Sequence, residues 1–288
     1  MKRTVTAAVM LTAAVLCACR GGVSGEPVHA NEGKEPAVSV AEPTHTPDTV
    51  VFAVMPSATP APLTPSPVPT PSPTPTPEPD PYTAGTEKTV YREGFYHVPL
   101  NDALKARISG LSYPADPSKC SVRHEELRYL RILYTDFEGA ERTGELIVHE
   151  KVADEVLEIF AALYDARYPL TSVRLVDDFG EPGDDTKSME ADNTSSFCYR
   201  HVTGSKKLSR HSYGAAIDIN PRENPYIRPD GSVSPANAKP YVNRKNDFPG
   251  KIDRDDLCYK TFKAHGWEWG GDFKGNKDYQ HFSKDIKR

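Results

Sequence analysis

The chain has 288 residues, a formal net charge of −5, and 27 prolines, sixteen of them between Pro27 and Pro81. Residues 19–82 carry a charge of −5 and residues 83–288 only −2. The part able to build a core, about 200 residues or one ordinary domain, therefore has no basic face for nucleic acid.

In chain order, Lys2 and Arg3 precede an apolar run from Val5 to Leu16. That run is shorter than the roughly 20 residues needed to span a bilayer, and its layout is that of a secretory signal. It ends Leu-Cys-Ala-Cys, residues 16–19, which resembles a bacterial lipobox. The resemblance implies cleavage after residue 18 and lipidation of Cys19, and so an extracytoplasmic protein anchored to the bacterial membrane; an ordinary signal peptide is the other reading. Residues 19–82 read as a Pro/Thr/Ser-rich disordered linker. Its alternating prolines block helix and sheet and favour polyproline II, extending to about 80 Å. Beyond Cys19 the chain holds Cys120, Cys198 and Cys258 without a Cys-x-x-Cys pair, and small buried hydrophobes are expected.

Residues 83–187 form the N-terminal part of the domain. Strands are expected at Glu93–Leu100 and Glu126–Phe137, a turn at Glu138–Gly144, a returning strand at Glu145–His149, and a short helix at Asn101–Ser109. Residues 151–166 place Val152, Val156, Ile159, Phe160 and Leu163 on one helical face, with Pro169 as the stop. Leu170–Phe179 reads as a strand entering an acidic loop, and Asp184–Thr194 as irregular. Strands are expected at Ser196–Val202 and Ala215–Ile219, a loop over Asn220–Gly250, and a helix over Asp253–His265 with Leu257 and Phe262 inward. Short strands and few helices without a βαβ repeat indicate an α+β fold with a small antiparallel sheet.

The chemistry concentrates in residues 188–288. Ser-Arg-His-Ser-Tyr-Gly-Ala-Ala-Ile-Asp, residues 209–218, and Asp-Tyr-Gln-His-Phe, residues 278–282, supply His211, Asp218 and His281, two imidazoles and a carboxylate. Three protein ligands leave one tetrahedral position open, the mark of a catalytic rather than a structural zinc site. Spacing alone is weak support, because most His–Asp pairs seven residues apart are ordinary polar residues.

These segments, with Gly-Trp-Glu-Trp-Gly-Gly-Asp-Phe at residues 266–273, resemble the zinc D-alanyl-D-alanine carboxypeptidase-like peptidases. That family includes VanY-type D,D-carboxypeptidases and L-alanyl-D-glutamate endolysins. The resemblance covers roughly residues 188–282. It implies one zinc ion on His211, Asp218 and His281, with Asp278 as the catalytic acid–base. Asp278 stands where the VanY-type branch has glutamate, as in the endolysin branch. The implied substrate is a peptidoglycan stem peptide, cut at D-Ala-D-Ala or at an endopeptidase bond, and a monomer is expected. Arg200 reads either as a cation for an oxyanion or substrate carboxylate or as a structural arginine. Ser209 orients His211 or substrate, or stabilises a turn. Trp269 and Trp267 line a groove or pack the core. Asp272 buttresses the Gly-Gly turn, and His201 and His265 are structural. The alternative from another class is a non-catalytic, zinc-bearing wall-binding or regulatory lipoprotein, which needs no base at Asp278. Mass spectrometry of the mature protein is expected to find lipid on Cys19; an unmodified N-terminus further along the chain would refute the anchor.

Overall fold

A computed structural model describes residues 80–286, apart from Glu181. The signal segment, Cys19 and nearly all of the proline-rich linker lie outside the described residues. Asp80 and Tyr82, which the sequence pattern assigns to the linker, contact the domain: Tyr82 packs on Tyr129 with ring centroids 6.1 Å apart, and Asp80 lies 3.8 Å from Arg131.

The fold is α+β. Strands β1 (Thr89–Arg92), β2 (Phe95–Pro99), β3 (Leu127–Thr135) and β4 (Glu141–His149) form an antiparallel sheet in that order. Helix α1 (Asp102–Ile108) follows β2, capped by the Asn101 side chain, which accepts from the Leu104 amide. β4 begins earlier than expected because the hairpin turn is tighter. The Asp136 carboxylate accepts from the Glu138 and Ala140 amides, and Gly139 takes φ +81°. The turn is thereby complete by Ala140, and Glu141 to Thr143 join the ladder.

Alternation in β3 and β4 buries both faces of this sheet. Leu130, Ile132, Leu146 and Val148 meet helix α2 (Ala153–Asp165), whose Val156, Ile159, Phe160 and Leu163 are buried as their helical spacing predicts. Each such side chain contributes about 2 kcal/mol. Leu127, Tyr129 and Ile147 face the other way, onto α1, Tyr113 and Phe197.

The α2-side core continues into the C-terminal half. It includes Ile217 of β7 (Ala216–Asp218), Phe262 of α4 (Leu257–Ala264) and Phe282 of β12 (His281–Ser283). Strand β10 (Glu268–Trp269), β12 and β7 form a second antiparallel sheet, in that order. Between these halves lie β5 (Ser172–Val173), parallel to β6 (Asn193–Thr194), and helix α3 (Thr186–Glu190). A third sheet contains β11 (Lys277–Asp278), β8 (Tyr226–Ile227) and β9 (Val233–Ser234).

Several expectations fail for identifiable reasons. Residues 196–202 form no strand, because their amides bond to different segments: Phe197 to the Ile147 carbonyl, Cys198 to that of His211 and Tyr199 to that of Ser112. Residues 184–194 contain α3 and β6, nucleated where Asp184 accepts from the Thr186 amide at 2.8 Å. Residues 220–250 are not all loop, since β8 and β9 form a hairpin within them. Leu257 is 40% exposed. It directly follows the Asp256 cap, so the inward face starts one residue later, with Cys258 and Phe262. Cys198 and Cys258 are buried, Cys120 is half-buried, and the three are free thiols.

Polar staples pin the long segment that carries the hairpin. The Asn224 amide donates to the Gly250 carbonyl at 2.8 Å, and Arg244 donates to the carbonyls of Glu223 and Ile252. Beside them, buried Asp192 meets Glu223, with Arg222 reaching both. Burial first, and the neighbouring Glu223 carboxyl second, push Asp192 up to about 7. The folded form thus holds a proton that the unfolded chain releases near the ordinary aspartate value of about 3.9. The stability linked to that proton is full below this range and is lost as pH rises to about 7. The denaturation midpoint of the wild type should therefore fall between pH 4 and 7, and Asp192→Asn should flatten that fall; an unchanged profile in the variant would exclude Asp192 as its source.

Candidate active site

The site forms where β7 and β12 pair. Asp218 stands directly opposite His281, and Ile217 opposite Phe282. Because side chains alternate along a strand, burying Ile217 and Phe282 in the core turns Asp218 and His281 to the other face. The first histidine arrives by a different device. His211 lies in a 3-10 turn, Arg210–Tyr213, whose N-cap Ser209 accepts from the His211 amide at 3.3 Å. Gly214 ends the turn at φ +63°, and a Cβ there would meet the His149 nitrogen at 2.6 Å. Glycine is thus required twice over, for the left-handed backbone and for close approach to the end of β4. The seven-residue spacing is spanned by a turn and a strand, not by a helix.

His211, Asp218 and His281 each offer a ligand atom, and these atoms lie within 4.8 Å of one another. His211 Nε2 is 3.2 Å from His281 Nδ1 and 3.3 Å from Asp218 Oδ2, and His281 Nδ1 is 2.9 Å from Asp218 Oδ1. Donors around a tetrahedral ion at zinc–nitrogen distances stand about 3.3 Å apart, so the spacing fits such an ion. His211 Nδ1 lies 2.5 Å from the Ser196 carbonyl. Donation there leaves the Nε2 lone pair facing the other two groups, the usual outer support of a metal-binding histidine.

The electrostatics agree with this donor set. Burial works against an ionised Asp218, but the two imidazoles override it and hold the carboxyl well below its usual range. Burial pulls His281 down, and the Asp218 carboxylate more than reverses that. Asp278 behaves in the opposite way. Burial, reinforced by the Asp218 charge and opposed by His281, pushes it up to about 6, and its Oδ1 is buried without a hydrogen-bond partner among the described residues.

These groups line a cavity of about 670 Å³. Arg200 is on its wall, with Nε and Nη2 donating to Asp185 Oδ2 at 2.8 and 2.6 Å, so its charge is partly answered within the protein. Its backbone also clamps the His211 turn: Ser212 Oγ donates to the Arg200 carbonyl at 2.7 Å, and the Ser209 amide donates to the same oxygen at 3.0 Å. Ser209 lines the cavity as well as capping the turn. Trp269 does not line it. The indole is buried in the core and donates to the Tyr279 carbonyl at 2.8 Å, which corrects the groove expectation. Trp267 is buried against Phe262. Asp272 is bound by Arg254 at 2.7 Å, outside the cavity, and His265 faces Glu158 at 3.2 Å. His201 is exposed at the cavity mouth.

Sequence reasoning missed the Ser196 carbonyl, Asp185 and the β8–β9 wall. Only the last had a signal, the Pro229-Asp230-Gly231 turn. It also missed why Gly270 and Gly271 are adjacent. A Cβ on Gly270 would strike the Asp278 carbonyl at 2.4 Å, and one on Gly271 the Trp269 ring at 2.4 Å.

Residues 203–284 match the family model described as D-alanyl-D-alanine carboxypeptidase, and the stretch contains His211, Asp218, Asp278 and His281. This stretch is therefore similar to that peptidase family. No curated protein and no solved structure gives a significant match. The match begins just after Arg200, so the Asp185–Arg200 pair and the first sheet, β1 to β4, lie outside the matched stretch. Gly270→Ala is expected to displace Asp278 while leaving the His–Asp–His group in place. Metal content by atomic absorption should be retained while peptide turnover falls at least tenfold; wild-type turnover would show that the contact yields without moving Asp278.

Proposed function

We propose that this chain is a zinc-dependent peptidase that hydrolyses peptidoglycan stem peptides. The bond is D-Ala-D-Ala, or an endopeptidase bond such as L-Ala-D-Glu. The observation that carries the proposal is Asp278, which lines the same cavity as His211, Asp218 and His281 and whose buried Oδ1 has no hydrogen-bond partner among the described residues. A protein that only binds cell wall has no use for a desolvated, unpartnered carboxyl at that position.

His211, Asp218 and His281 would hold the metal; two imidazoles and one carboxylate suit zinc. Bound zinc supplies Lewis-acid polarisation of a carbonyl and acidifies water. The protein's own groups supply the rest. The Asp278 carboxylate accepts the proton of the attacking water and returns it to the leaving amine, and a carboxyl raised to about 6 is ionised at neutral pH yet still basic enough for the task. Arg200, kept charged and fixed by Asp185, adds positive potential where negative charge develops on the substrate oxygen. The peptide lies in the cleft between the His211 turn and the β8–β9 hairpin. We further propose that the protein is monomeric and acts outside the cell, tethered through Cys19 and the proline-rich linker.

Digestion of muropeptides by the purified protein, with and without chelator and read by mass spectrometry, tests the proposal and names the bond. Asp278→Asn should keep its zinc and lose about 10²- to 10⁴-fold in turnover, whereas His211→Ala should lose the metal itself. Chelator-insensitive cleavage, or full activity in the Asp278 variant, would remove this mechanism.

A further inference from the structure

The third sheet shows a regular division of its side chains. Tyr226, Arg228, Ser234, Asn276 and Asp278 line the cavity, whereas Ile227, Val233 and Lys277 do not. This is the alternation of a sheet with one face turned to the cleft. The register places Asp278 opposite Tyr226, and Tyr226 opposite Ser234, so these three form one row across the cleft floor. Arg228 and Asn276 stand in the next row, about 7 Å along the strands.

Arg228 differs from the other arginines of the cavity. Arg200 is bound by Asp185 and Arg210 by Asp285. Arg228 forms no ion pair within 4 Å among the described residues. Its guanidinium lies over the Tyr226 ring, 4.7 Å from the centroid, and the Tyr226 hydroxyl accepts from Asn276 Nδ2 at 3.3 Å. Its carbonyl and amide close the hairpin turn, with the Gly231 amide donating to the former at 2.9 Å and the latter donating to the Ser232 carbonyl at 2.9 Å. The cation is therefore held against the cleft floor with its donors uncommitted, one row from the carboxylate assigned to proton transfer. A peptide residue spans about 3.5 Å, so a group one residue from the scissile amide comes within reach of a side chain as long as arginine.

We propose that Arg228 is the specificity-determining contact of this site, gripping a substrate carboxylate one residue from the scissile amide through the bidentate geometry natural to guanidinium. The inference rests on the peptidase reading and deepens it. Stem peptides offer two such carboxylates, the C-terminal one of D-Ala-D-Ala and the α-carboxylate of γ-linked D-Glu. Whichever Arg228 holds sets the bond that is cut.

The test is calorimetric titration of the full-length protein and its R228Q and R228K variants with L-Ala-γ-D-Glu-L-Lys-D-Ala-D-Ala in three forms: unmodified, amidated at the C-terminus, and amidated at the D-Glu α-carboxyl. Wild type should bind the unmodified peptide at least tenfold more tightly than one amidated form, and that form identifies the carboxylate. R228Q should bind all three alike, and R228K should recover part of the preference. Equal binding of the three peptides by wild type, or an undiminished preference in R228Q, would overturn the assignment. Hydrolysis of the same peptides by zinc-loaded protein is read separately. Preference without cleavage refutes the peptidase reading and leaves Arg228 as a carboxylate contact. A raised KM with unchanged kcat in R228Q, confined to the preferred peptide, supports both.

Discussion

The site depends on the register of one short strand pair. β7 and β12 share three residue pairs, in which Asp218 faces His281 while Ile217 faces Phe282. A slip of β12 by one residue would send the His281 imidazole into the core and the Phe282 ring into the cleft. Three pairs are too few to fix that register alone. Its anchor is beneath: Phe282 stacks on Phe262 with centroids 4.1 Å apart, and both belong to the core formed by α2 and the first sheet. Chemistry on one face is thus secured by packing on the other.

Residues 83–187 gain a role from this. They hold none of the groups assigned to catalysis, yet their sheet fixes the position of His211. The end of β4 receives Gly214 through the His149 amide, which donates to the Gly214 carbonyl at 2.9 Å. Ile147, near the same end, accepts from the Phe197 amide, and Phe197 neighbours Ser196, whose carbonyl orients the His211 ring. A shift of β4 would therefore disturb the first histidine without touching it directly.

What could be read from the sequence follows from how local each interaction is. Helix α2 was legible because its buried residues repeat at helical spacing, and β3 because its aromatic and aliphatic residues alternate in part with arginines over a strand's length. The His-x6-Asp and Asp-x2-His segments were legible as a metal-site pattern because each places chemically distinctive residues at fixed local offsets. Residues 196–202 misled because they have strand composition but bond to several partners, a property of the whole fold. Leu257 misled by one position, because the capping residue, not the apolar pattern, sets where α4 starts. Trp269 looked like a groove residue from its neighbours in sequence, but Gly271 leaves room for its ring and the ring fills the interior. The β8–β9 wall was hidden by strands of two residues each, too short for any periodicity to register.

The separation of the ligands along the chain has a consequence for how the protein matures. His211 and Asp218 are joined by a turn that takes shape only against β4, and His281 enters from 63 residues beyond Asp218. A newly made, unfolded polypeptide therefore offers a passing ion no preformed chelate, only scattered side chains. For the proposed metal this implies architecture first and ion last, so that the finished cavity and the ions of the compartment in which folding ends would decide which ion is taken up.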